Sequence, residues 1–135
     1  MTLFVDTSVW SLAFRRDAVP DIPEVNVLKQ ALEFGQSIAT TGMVLQELLQ
    51  GFSGPKAQGL IVERFSSIPL ITPNRHDYIA AAELHNRCRR AGVQIGTIDV
   101  IIAQLCIRHD LTILTTDKDF THMQKHIEIK VWSTG

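Results

Sequence analysis

The sequence predicts an α/β fold built on a central, mostly parallel sheet. Three observations carry this. Short apolar or β-branched runs alternate with segments of helical periodicity, the order that parallel strands joined by helices require. Two of these runs, residues 3–5 and 112–115, are each followed closely by an aspartate. The chain has 135 residues, 45% hydrophobic and 20% charged, which suits one domain with a substantial core.

Taken in order, Leu3-Phe4-Val5 reads as a buried strand ending at Asp6. Thr7 or Ser8 can cap a short helix reaching Phe14. Residues 17–23 carry two prolines and read as a loop. Val25, Leu28 and Leu32 follow helical spacing over 25–34, and Gly35 stops that helix. Residues 37–40 form a second strand candidate, and 43–50 a helix ended by Gly51. Pro55 suits a helix N-terminus, and 56–65 continue it. Pro69-Leu70-Ile71 is a third strand candidate. Residues 74–90 give the longest helix, with Tyr78, Ala81, Leu84, Cys88 and Ala91 as one apolar stripe and Gly92 closing it. Residues 100–107 are apolar nearly all round and predict a buried helix. Residues 112–115 predict a strand, and the alternation over 127–132 predicts the last one. No repeat or linker divides the chain, so a single domain is expected over 1–135.

Composition excludes several classes. A net charge of −1 rules out a histone-like nucleic-acid binder but leaves room for a local basic patch. The two cysteines, Cys88 and Cys106, lack CxxC spacing, exclude a disulfide scaffold, suit a reducing cytoplasm and read as core residues. No apolar run approaches the ~20 residues that span a bilayer, and the first six residues lack the basic start of a secretory signal, so no membrane association is expected. His122 and His126 stand four apart, but no HExxH glutamate accompanies them.

Four carboxylates stand out. Asp6 and Asp117 follow predicted strands, at the sheet edge where open parallel sheets bind ligands. Asp99 opens the buried helix, and Glu47 borders the apolar face of the helix over 43–50. Each has a plain structural reading. Asp99 (or Thr97) can cap its helix, Asp117-Lys118-Asp119 can be a polar turn, Glu47 can face solvent, and Asp6 can hold amides of the next helix. Four such residues at four element ends are harder to explain as solvated surface. Converging anions demand a counter-charge, and only Lys118 is embedded in these motifs. All-oxygen ligation selects Mg²⁺ or Mn²⁺, a common device for phosphodiester hydrolysis.

Four segments in order carry a resemblance: Val5-Asp6-Thr7-Ser8-Val9-Trp10, Leu45-Gln46-Glu47-Leu48-Leu49-Gln50-Gly51, Thr97-Ile98-Asp99-Val100-Ile101-Ile102-Ala103 and Leu114-Thr115-Thr116-Asp117-Lys118-Asp119-Phe120. The chain resembles the PIN-domain ribonucleases, and among them the VapC-type toxins of toxin–antitoxin pairs, over essentially its full length. The resemblance implies a single PIN-like domain, a central twisted sheet with helices on both sides, and an acidic Mg²⁺ or Mn²⁺ pocket. It implies endoribonuclease activity on single-stranded RNA. It places Asp6, Glu47, Asp99 and Asp117 on the family's acidic positions, and Thr7 or Ser8 on its hydroxyl position. Where the family often has an arginine before the last aspartate, this chain has Thr116. Asp119 is the alternative to Asp117, or else caps the helix starting at Phe120.

On this reading Asp6, Asp99 and Asp117 anchor the metal, while Glu47 ligates it or orients the attacking water. Thr7, Ser8 and Thr116 contact phosphate or a ligand carboxylate, and Arg15 and Arg16 contact RNA phosphates. Arg87, Arg89 and Arg90 either join them or suit a helix dipole. The expected partners are a structured cellular RNA, whose cleavage halts translation or growth, and an antitoxin whose arginine enters the acidic cleft. A homodimer, and a heterotetramer or larger assembly with antitoxin, are expected too. The rivals are a Mg²⁺-dependent phosphatase or phosphoacceptor on a similar scaffold, and a non-catalytic RNA- or protein-binding module. The lone Asp6, without a second acid at position 8, argues against the first. The intact acid set argues against the second.

Overall fold

In the computed structural model, which describes residues 1–134, the sheet is organised around β1 (Leu3–Val5). Its three side chains are fully buried, so the strand needs no polar alternation. It pairs in parallel with β2 (Ile38–Ala39) on one side and β3 (Thr112–Leu114) on the other. β4 (Lys130–Val131) pairs in parallel with β3, and the order is β2-β1-β3-β4. The chain thus leaves β1 toward β2 and later returns on the other side of β1 as β3. The strand order reverses between β1 and β3, where parallel sheets open a crevice beyond their carboxyl ends. The register sets Val5 beside Leu114, so the next pair outward is Asp6 and Thr115.

Among the described residues the strands are linked by α1 (Thr7–Ala13), α2 (Pro23–Phe34), α3 (Gly42–Gly51), α4 (Pro55–Phe65), α5 (Arg75–Arg90), α6 (Thr97–Arg108) and α7 (Lys118–Met123). Proline opens α2 and α4, where a missing N–H costs nothing. Gly35 closes α2 in the left-handed region, φ 70°. Trp10 is buried and packs on Phe65, with ring centroids 4.7 Å apart, while Phe14 stacks beside it. No helix among the described residues is long and apolar enough to cross a membrane.

Three sequence expectations are corrected. Residues 69–71 are not a strand: Leu70 makes a single bridge to Thr40. Pro69 lacks an N–H, Pro73 follows, and Leu70 stays about half exposed. The last strand shrinks to Lys130–Val131, because the Ile129 N–H turns back to the Ile127 carbonyl at 3.0 Å. Tyr78 and Ala91 do not join the buried stripe of α5, which runs through Asp77, Ala81, Leu84 and Cys88. An aspartate heads an otherwise apolar row because four groups satisfy it. Asp77 forms a capping box with Asn74, accepts Arg108 Nε and Nη2 at 2.8 Å each, and accepts Gln104 Nε2 at 3.2 Å. Burial pushes its carboxyl upward, but the Arg108, Asn74 and Gln104 hydrogen bonds outweigh burial and hold its pKa below the usual value.

This cluster ties the start of α5 to the end of α6. Asp77→Ala leaves Arg108 without its carboxylate and is expected to lower stability by about 2–4 kcal/mol in urea unfolding at pH 7. The lowered pKa means that the contribution is present above the unfolded carboxyl pKa and fades as pH falls through the folded one. A loss below about 0.5 kcal/mol, the range of ordinary surface substitutions, contradicts this role.

Candidate active site

Asp6 occupies the cap position of α1, yet its side chain makes no cap bond to the helix amides. Its Oδ2 instead accepts the hydroxyls of Ser8 and Thr115, each at 2.9 Å. Ser8 Oγ accepts the Thr116 N–H at 3.0 Å, and Thr115 Oγ1 accepts the Asp117 N–H at 2.9 Å. Two hydroxyls therefore lock a 94% buried carboxylate to the turn that follows β3. The capping role open to Asp6 in the sequence is not the one it plays.

That turn presents the next two acids. Asp117, not Asp119, caps α7, its Oδ1 accepting the Asp119 N–H at 2.9 Å. Asp119 lies in the first turn of α7. Asp99 reaches the same place from α6. The capping role open to Asp99 or Thr97 in the sequence is taken by neither: Gly96 is the cap residue, and Asp99 lies in the first turn with no cap bond. One carboxylate oxygen from each of Asp99, Asp117 and Asp119 lies within 4.8 Å of the others, with all three residues half-buried.

Burial pushes the Asp99 carboxyl up to about 7, and the charges of Asp6, Asp117, Asp119 and Glu47 add to it, in that order. Glu47 is exposed as a residue, but surrounding protein shields its carboxyl and the charge of Asp6 acts on it, and both raise its pKa. The five acids thus form one electrostatic unit, with Asp99 at its centre. A hard divalent cation suits it: every donor is a carboxylate oxygen, no imidazole or thiolate among the described residues joins the group, and a bound cation would displace the Asp99 proton to solvent. Asp99, Asp117 and Asp119 are the residues that would hold it, with Asp6 and Glu47 alongside.

The remaining predicted residues are spread out. Thr7 Oγ1 is buried without a partner, and the Thr116 side chain is exposed. Arg15 pairs with Asp17 across the surface. Arg16 lines a cleft with Phe14, Lys56 and Leu60, between the residues that follow α1 and the start of α4. The groove between α5 and α6, lined by Tyr78, His85 and Ile101, contains no carboxylate. Sequence reading missed Thr115 as a functional residue. Its only signal is the parallel register that makes it the neighbour of Asp6.

The PIN-domain family model matches residues 3–126. The chain belongs to the PIN-domain family. Several solved structures share the fold. VapBC2 from Rickettsia felis, bound to a promoter DNA fragment, superposes with a TM-score of 0.75 at 20% identity, covering 98% of this chain and 100% of that one. DNA-bound VapBC from Salmonella typhimurium gives 0.74 at 15% identity, covering 98% and 97%. VapC20 from Mycobacterium tuberculosis, described as a toxin that cleaves the sarcin–ricin loop, gives 0.68 at 17% identity, covering 94% and 98%. At these identities the likeness shows the fold. A sequence search among curated proteins gives no match.

In this PIN domain the raised pKa of Asp99 has a testable sign. Between the ordinary value of 3.8 and about 7, the folded state keeps a proton that the unfolded chain has lost. Metal-free stability therefore falls as pH rises through that window. In EDTA at pH 8, Asp99→Asn is expected to exceed wild type by about 1–3 kcal/mol, after allowance for solvent screening, with the gap closing toward pH 4. Urea unfolding at both pH values checks this, and an equal difference at the two would contradict it.

Proposed function

We propose that this PIN domain is a divalent-metal-dependent endoribonuclease, the toxin of a VapBC-type pair, acting in the cytoplasm on a structured cellular RNA. The observation that carries the reading is the convergence of Asp99, Asp117 and Asp119, with Asp6 and Glu47 coupled to them, at the crevice between β1 and β3. Family membership and the VapBC and VapC neighbours support it.

A bound Mg²⁺ or Mn²⁺ would supply Lewis-acid stabilisation of the scissile phosphate and a water of lowered pKa. The chain's own residues do the rest. Ser8 and Thr115 fix the Asp6 carboxylate, so it needs no reorganisation during the reaction. Glu47, its pKa raised, is suited to orient a water and accept its proton. Asp117 is held by its own capping bond, which keeps the turn in one geometry. Thr7, Thr116, Arg15 and Arg16 are the candidate contacts for RNA, and Lys56 stands with Arg16 in a second basic position.

The same acid cluster accounts for an antitoxin. An arginine inserted among the carboxylates supplies the counter-charge that the cluster otherwise takes from a metal, so inhibitor and cofactor compete for one site. A homodimer, joined by antitoxin into a heterotetramer or larger assembly, is the proposed complex.

Cleavage of a broad RNA panel is expected to require Mg²⁺ or Mn²⁺, to stop in EDTA, and to vanish in Asp6→Asn and Asp99→Asn with circular dichroism unchanged. Ser8→Ala, which loosens Asp6 without removing an acid, is expected to lower the rate about 10–100-fold. Cleavage that persists in EDTA or in Asp99→Asn overturns the assignment. Acetyl-phosphate labelling of Asp6 would point instead to phosphoacceptor chemistry.

A further inference from the structure

A second feature adjoins the acids. A cleft of about 440 Å³ lies between the start of α2, the β3–α7 turn and the residues after β4. It shares Thr116 and Asp117 with the site above. We infer that this cleft holds the base of the RNA nucleotide next to the scissile phosphate, stacked on Trp132. This rests on the nuclease reading and names a part of its substrate site.

The lining selects the ligand. Trp132 is the half-buried one of the two tryptophans, while Trp10 is sealed in the core. The Trp132 backbone N–H donates to the Ile113 carbonyl at 2.9 Å, which ties the backbone there to the end of the sheet ladder. A half-buried indole that packs against the core and lines the cleft offers a π-face for stacking. Glu24, half-buried in the first turn of α2, is acceptor-only and matches the N–H edge of a base. Thr121 adds a hydroxyl, and the exposed Lys118, without an ion pair in the described residues, stands where a flanking phosphate needs a cation. A free phosphate would meet Glu24 and Asp117, two anions. An apolar peptide would bury both without partners. A neutral, planar, N–H-bearing ring attached to a phosphate satisfies every wall. The volume is within the range, about 300–1,000 Å³, of small-ligand pockets.

The test uses uncharged nucleosides, which the acid cluster does not repel. Adenosine, guanosine, cytidine and uridine are titrated into the metal-free protein while tryptophan fluorescence is read. Saturable quenching is expected in wild type and is lost in Trp132→Phe, where the buried Trp10 remains as the emitter. On a cleaved RNA, Trp132→Ala is expected to lower kcat/KM about 5–100-fold and Trp132→Phe to restore most of it. No quenching in wild type, or equal quenching in Trp132→Phe, overturns the inference. So does unchanged kcat/KM in Trp132→Ala, and in that case the nuclease reading survives. Quenching by nucleosides without cleavage of any RNA keeps the base site and removes the nuclease reading instead.

Discussion

Five carboxylates share one crevice, and their mutual repulsion is the constraint around which the rest of the molecule is arranged. Asp99 feels it most, lifted to about 7 by burial and by four neighbouring acids. A fold that holds such a group in place must secure each acid from behind. Asp6 is secured by Ser8 and Thr115, Asp117 by its capping bond, and Asp99 by a helix whose residues 100–106 are all buried. At the far end of that helix Arg108 is clamped by Asp77. The α6 rod is thus fixed at its C-terminal end by an ion pair, while its N-terminal end carries the least comfortable charge in the site.

The arrangement makes sense if repulsion is relieved by a ligand instead of by relaxation. A divalent cation and an arginine side chain both supply the missing positive charge, and each would stabilise the same rigid cluster. This explains why so little basic character is built into the crevice itself. Lys118 lines the neighbouring cleft with Asp117, and Arg16 and Lys56 share a separate one. The base site proposed at Trp132 fits the same logic, because it would take hold of the nucleotide through its neutral part.

Much of this was legible in the sequence, and the exceptions share a cause. Asp6, Glu47, Asp99 and Asp117 announce themselves because each interrupts or ends a segment of core sequence, and local pattern is enough to see that. The parallel sheet is legible from the alternation of elements. Thr115 is not, because its meaning depends on pairing with Asp6, 109 positions away. Asp77 is missed for the same reason. Its partner Arg108 lies 31 residues on, so periodicity favoured Tyr78 beside it. The helix start at Gly96 shows a local limit: the sequence offered Thr97 and Asp99 as caps, and backbone geometry puts the cap at Gly96 instead. Residues 69–71 and 127–132 fail as full strands because prolines and a tight turn limit their ladders to a bridge or a pair of residues.

The function proposed for the crevice depends on whether the acid cluster takes a divalent cation. Crystals soaked in Mn²⁺, with diffraction collected near the manganese absorption edge, test this directly. An anomalous peak within coordination distance of the Asp99, Asp117 and Asp119 carboxylates is the predicted result, lost when Asp99→Asn crystals are soaked alike. A featureless map at that cluster at saturating Mn²⁺, or a peak unaffected by the substitution, would contradict the central claim.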